Sequence, residues 1–241
     1  MRIRFAAIAI TMAAGFVAAN SQAVSLNPRG LGQVLIFPYY TVNKGQATLV
    51  SLVNVSEMGK AVHVYFQEGY NGRDVLDFVV FLSPYDVWTG AVTPISDDGG
   101  AKITSADKSC VLPASDGNGN DFASGIPFST AGFDGIAFPA DGGPTSITRT
   151  REGFIYVVTN GDLDPQSATA QLITHVQNGT ADGGAPTGCS QLSGNVINGP
   201  DLQVPTSTLA GSQARPRSSM STTAYSSPTT PTRSATSLRC P

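Results

Sequence analysis

Ala61-Val62-His63-Val64-Tyr65-Phe66-Gln67 alternates without a break: Val62, Val64 and Phe66 point one way, His63, Tyr65 and Gln67 the other. That period marks a strand with one face on a core and one toward solvent. The pattern continues on both sides. Ala47 to Asn54 sets Thr48, Val50 and Leu52 against Leu49, Ser51 and Val53, and Gln33 to Tyr40 is an apolar run rich in β-formers. Val75 to Leu82 places Leu76, Phe78, Val80 and Leu82 on one face, and Trp88 to Val92 reads as a fifth strand. Asn43-Lys44-Gly45, Ser56 to Lys60, Gly69 to Arg73 and Ser83-Pro84-Tyr85-Asp86 supply turn chemistry between them. Short strands at this spacing predict a mainly β chain, an antiparallel β-sandwich with long loops.

Further along, the periodicity fades. Asp97 to Thr150 is Gly, Asp, Asn, Ser and Pro with scattered Phe122, Phe128, Phe133 and Phe138, which reads as binding loops or disorder, packed in part. Gly153 to Thr159 resumes as a strand with Phe154, Tyr156 and Val158 on one face. Asp164-Pro165 then predicts the start of one helix, with Asp164 as N-cap, running to Gln177 and stopping at Asn178-Gly179.

The N-terminus sets the compartment. Arg2 and Arg4 precede an apolar run from Phe5 to Ala19, and Ser21-Gln22-Ala23 is a small-x-small cleavage site. This order predicts a signal peptide over residues 1–23 and a mature chain from Val24, without a lipid-anchoring Cys at the junction. No second long apolar stretch follows, so no transmembrane segment is expected in the mature chain. The expected location is outside the cytoplasm: cell surface, extracellular medium or periplasm. Residues 24–211 form the β-rich secreted domain and carry all 17 acidic residues against eight basic ones. That balance argues against nucleic acid and anionic membranes as partners.

Cys110 and Cys189 lie in this domain and Cys240 in the terminal segment. In an exported chain Cys110–Cys189 is the natural disulfide, two buried free thiols being the alternative. Residues 212–241 are different material: 18 of the 30 are Ser, Thr or Pro, and none is acidic. Two readings stay open. One is a disordered, mucin-like tail. The other is a frameshift near Gly211 to Arg217. If the Ser codons are of the TCN type, reading one base earlier makes Ser218-Ser219 and Tyr225-Ser226-Ser227 apolar, and Thr222-Thr223-Ala224 can become Asp-Asp-Gly. The result would be strand, turn, strand.

Candidate chemistry is sparse. His63 and His175 are the two histidines, and no metal-protease helix pair, nucleophile elbow or phosphate loop is present. His63 is expected to face outward and His175 to pack near a helix end. Asp116-Gly117-Asn118-Gly119-Asn120-Asp121 spaces Asp116, Asn118 and Asn120 like the first half of a calcium loop, but an EF-hand's closing Glu would fall on Pro127. Asp162 and Asp164 are a second weak calcium candidate. Otherwise no cofactor, metal or catalytic residue is expected. Asp77 and Glu152 are carboxylates in or beside strands, as a glycosidase would need at a fixed separation. Trp88 and Tyr39-Tyr40 could stack on sugars, although core packing is the commoner role. Asn54-Val55-Ser56 and Asn178-Gly179-Thr180 match the N-glycosylation sequon.

Several blocks carry a resemblance: Leu26 to Tyr40 (LNPRGLGQVLIFPYY), Val75-Leu76-Asp77-Phe78, Leu82 to Trp88 (LSPYDVW) and Arg149-Thr150-Arg151-Glu152-Gly153. In this order they resemble a family of exported proteobacterial proteins labelled only as cell-surface or hypothetical. The resemblance spans Val24 to about Gly211. It implies residence at the bacterial envelope and brings no catalytic residue, cofactor or substrate. The expected function is therefore a non-enzymatic surface role in binding, adhesion or envelope structure, toward a glycan or protein ligand. The competing expectation is a secreted carbohydrate-active hydrolase working through carboxylates such as Asp77 or Glu152.

Overall fold

The computed structural model describes residues 31–136, 138–176, 184–192 and 201–203, and the backbone of 220–228. The expected signal peptide, the Asn178 sequon and Cys240 lie outside the described residues. The strands are β1 (Leu31–Gly32), β2 (Val34–Thr41), β3 (Gln46–Asn54), β4 (Gly59–Glu68), β5 (Asp74–Leu82), β6 (Val87–Pro94), β7 (Ala101–Thr104), β8 (Cys110–Leu112), β9 (Ile126–Pro127) and β10 (Glu152–Leu163). After the helix α1 (Ala168–Ile173) come β11 (His175–Val176), β12 (Ala185–Pro186), β13 (Leu202–Gln203) and β14 (Met220–Pro228).

They form two six-stranded antiparallel sheets. The first runs β1-β14-β3-β6-β7-β9. The second runs β13-β10-β4-β5-β8, with β2 on the same side of β10 as β13. Strands β11 and β12 make a separate two-stranded ribbon. The inner faces share one core, in which Val50, Leu52, Trp88 and Ile103 from the first sheet meet Val64, Phe66, Phe78 and Ile155 from the second. This is the antiparallel β-sandwich that the alternation predicts. Trp88 packs 5.5 Å from the Phe78 ring, and Gly90 makes room for it: a Cβ there would fall 2.7 Å from the indole.

A second cluster lies on the outside of the second sheet. Ala61, Val79, Phe81 and Leu163 face outward beneath Ala170 and Ile173 of α1, with Cys110 and Leu192 alongside. The Cys110–Cys189 disulfide, with a Cα–Cα distance of 5.1 Å, fastens β8 to the segment that follows β12.

Two expectations change. The helix is six residues long and is capped by Ser167, whose side chain accepts from the Ala170 N–H. Asp164 instead holds the preceding turn by accepting from the Gln166 N–H at 2.8 Å. The helix ends at Ile173, and His175–Val176 pairs with β12. His175 also bonds to Ser83, so tertiary contacts override the local pattern there. The stretch 97–150 contains β7, β8 and β9, each too short to show a period, and buries Phe122, Phe128 and Phe133 while Phe138 stays exposed. Within the Ser/Thr/Pro-rich terminal segment, the backbone of Met220–Pro228 pairs as a strand along β3. Its pairing satisfies the open edge of β3, whose backbone groups would otherwise lack partners on that side.

Candidate functional site

The outer face of the second sheet divides into two halves. Helix α1 and the disulfide cover one; among the described residues the other is open. Cross-strand partners share a face, so the register places Ile36, Tyr156, Tyr65 and Asp77 in one row across β2, β10, β4 and β5. Val34, Val158, His63 and Val79 make the adjacent row. Ile36 is 69% exposed and Val34 57%, on the strand farthest from α1's cover.

The open half carries an ordered ladder of side chains. Tyr65 stacks on Tyr156 at 4.5 Å between ring centroids and on His63 at 4.0 Å. The Tyr65 hydroxyl and His63 Nδ1 are 2.8 Å apart, and His63 Nε2 lies 2.7 Å from Asp77 Oδ2. In the Nε2–H tautomer, His63 donates to Asp77 and its Nδ1 accepts from the Tyr65 hydroxyl. Burial raises the Tyr65 hydroxyl above its ordinary value, helped by Tyr156, Asp77 and Asp74 nearby. Burial likewise raises the Asp74 carboxyl, with the Asp77 charge adding to it. Beyond Tyr156, Tyr39 donates to Glu152 Oε2 at 3.0 Å, and Asn43 Nδ2 donates to the same oxygen at 3.2 Å. The face thus presents aromatic surface with carboxylates on two sides.

Asp77 and Glu152 do share this face, as the hydrolase reading needs. Their spacing does not suit it. Glu152 is four residues along β10 from the row of Asp77 and two strands across, or about 16 Å by ordinary strand dimensions. Glycosidase carboxyl groups sit roughly 5–9.5 Å apart. Trp88 and Tyr40 are buried core residues, which removes them from any sugar platform, whereas Tyr39 is exposed.

A cleft of about 720 Å³ brings together Ser83, Asp86, Asp107, Lys108 and His175. Ser83 Oγ lies 3.1 Å and Asp86 Oδ2 3.5 Å from His175, but both face the same nitrogen, Nδ1. A nucleophile relay needs serine and aspartate on opposite ring nitrogens. Asp86 instead braces the β5–β6 turn: Oδ2 accepts from the Ser83 N–H and Oδ1 from the Val87 N–H.

The calcium candidates turn inward on themselves. Asp116 Oδ1 accepts from the backbone N–H of Asn118 and Asn120, and Oδ2 from Asn120 Nδ2 at 2.8 Å. The Asn120 amide holds the Asp116 carboxyl below its ordinary range. Asp162 meets Lys60, while Asp164 accepts from Gln166 and Gln203, so those two carboxylates serve different partners. Among the described residues, no group of three or more His, Cys, Asp or Glu side chains is placed to hold a metal.

Arg149, Arg151 and Gly153 have structural work. Arg149 pairs with Glu68 through Nε and Nη2 at 2.9 and 3.0 Å, reaches Asp141, and lies 4.3 Å over the Phe133 ring. Glu68 also accepts from the N–H groups of Tyr70, Asn71 and Arg73. Burial pushes the Glu68 carboxyl up, but Arg149 and these three donors outweigh it and bring it down to about 2. Arg151 donates to the carbonyls of Val42, Asp97 and Gly99. At Gly153 a Cβ would sit 1.9 Å from the Gln67 carbonyl oxygen, so no larger residue fits. Asn54 of the first sequon is buried, with Nδ2 donating to the Met58 and Ser83 carbonyls.

Comparison with protein-family models, curated proteins and solved structures finds no match. No helix among the described residues is long and apolar enough to cross a membrane.

Proposed function

We propose that the chain is a non-enzymatic, exported binding protein that holds a carbohydrate on the open half of its second sheet. The observation that carries this reading is the His63-Tyr65-Tyr156 ladder, held by hydrogen bonds to itself and to Asp77 on a face that solvent reaches. Ordering exposed side chains costs conformational entropy. Spent away from the core, that order prepares a surface for a partner. Sugars present apolar C–H faces and a rim of hydroxyls. Tyr39, Tyr156 and Ile36 offer apolar and aromatic surface to the first, and Asp77, Asp74 and Glu152 offer acceptors to the second. The disulfide and the basic-apolar-small N-terminal pattern support export, and the resemblance to envelope proteins supports a surface role.

A glycan array with the mature protein, followed by calorimetric titration of any hit, tests the reading. Binding that Tyr156→Ala weakens at least tenfold is the expected result. An array without hits removes the carbohydrate. Turnover of a glycan that Asp77→Asn abolishes would install the hydrolase reading in its place.

A further inference from the structure

Among the described residues, two buried charge clusters differ in how they are satisfied. Arg149 spreads its guanidinium donors over Glu68, Asp141 and the Pro144 carbonyl. Lys60 and Asp162 stand directly opposite each other on β4 and β10, each 2% exposed. Lys60 Nζ touches Asp162 Oδ1 and meets no other acceptor among the described residues, while Asp162 Oδ2 is buried without a partner. On its other side Lys60 faces Leu82 of β5, a fully buried core residue. An ammonium with three donors and a carboxylate with two acceptors thus share a single contact in an apolar place. As an ion pair this is an unfavourable arrangement, because two desolvated charges are repaid by one hydrogen bond.

We propose that Lys60 and Asp162 are joined covalently, by an amide between Lys60 Nζ and Asp162 Cγ. The register presents the nitrogen to the carboxyl group, as an intramolecular reaction requires. The ammonium passes one proton to the carboxylate, the amine nitrogen adds to Cγ, and the Cγ–Oδ2 bond breaks. The unpartnered Oδ2 leaves with two protons as water. One ammonium and one carboxylate become one amide and one water, so the step balances without oxidant or added reagent. Two charges vanish from a site that solvates them poorly, and the surrounding apolar packing excludes the water that would reverse the reaction. The bond would cross-link β4 to β10, two of the four strands that carry the open face. It is independent of what that face binds, since neither residue lies on it.

Mass spectrometry of the reduced, denatured full chain tests this. The expected mass is one water below that of the same chain carrying Lys60→Met, after allowing for the substitution itself. Asp-Gly steps such as Asp98-Gly99 can also lose water, so the link is located by digestion. Trypsin should fail to cut after Lys60, and fragmentation should show the peptide containing Lys60 joined to the one containing Asp162. Asp162→Asn should form the same link with loss of ammonia instead of water. Because these masses are read on unfolded protein, the wild-type result decides even if a variant does not fold. A wild-type chain cut by trypsin at Lys60, with the two peptides separate, overturns the proposal.

Discussion

The two halves of the second sheet's outer face use the same strands and the same alternation, yet among the described residues one is sealed and the other bare. Under α1 and the disulfide the outward residues are Ala61, Val79, Phe81 and Leu163, which offer only apolar surface. On the open half they are His63, Tyr65, Asp77 and Tyr156, which bond to one another. Covering an apolar face stabilises a fold; a polar-aromatic face gains little from being covered and remains available. The contrast teaches that the helix lies where the strands need it, and that its limits mark out the candidate site.

The largest effect should come from unfastening the cover. Replacing both Cys110 and Cys189 by Ala should cost about 4 kcal/mol, the loop-entropy value for a closure of this length. Urea unfolding measures it, and a loss below about 1 kcal/mol would mean that α1 stays seated without the bridge. Thinning the cover comes next. Ile173 is fully buried against this half, and Ile173→Ala should cost about 3 kcal/mol. Acid then separates the inner side of β4 from its outer side. The Glu68 carboxyl is held at about 2, below its ordinary 4.5, so its contribution is complete above pH 4.5 and is lost as pH falls through about 2. Glu68→Gln should abolish this acid limb of the stability profile, and an unchanged limb would assign it to other carboxylates. The smallest effect on stability belongs to the open half, where Tyr156→Ala should change unfolding by less than about 1 kcal/mol. A cost equal to that at Ile173 would show that the ladder supports the fold, and the contrast between the halves would collapse.

Much of this arrangement is legible in the amino-acid sequence. The alternation of residues 61–67 and 75–82 sets His63, Tyr65 and Asp77 on the faces they occupy, because side-chain parity in a strand leaves two choices. Joining the two strands through the Gly69–Arg73 turn would have placed Tyr65 beside Asp77 from sequence. The partnership with Tyr156 is not legible in that way. It depends on β10 lying against β4, a long-range pairing that no local pattern encodes. The same holds for Ser83 and His175, and for Lys60 and Asp162, which meet only through tertiary register. Strands β7, β8 and β9 escape notice because two to four residues cannot display a period. The amide of the Asn54 sequon is spent on the Met58 carbonyl in the β3–β4 turn and on the Ser83 carbonyl after β5.

Strand β10 also dictates the order of events when the chain collapses. It is central to the second sheet, flanked by β4 on one side and by β2 and β13 on the other, yet it lies far along the sequence from β2 and β4. The β4–β5 and β6–β7 ribbons can zip from nearby turns, whereas Val64 must wait for Val157. Closure of that long loop is the slow step expected of such a topology. Substitutions that weaken β10, such as Val157→Ala, should therefore slow refolding, while Ile173→Ala should mainly quicken unfolding. Stopped-flow refolding and unfolding of the two variants would show this as opposite limbs of the chevron, making β10 the clasp that the rest of the molecule waits for.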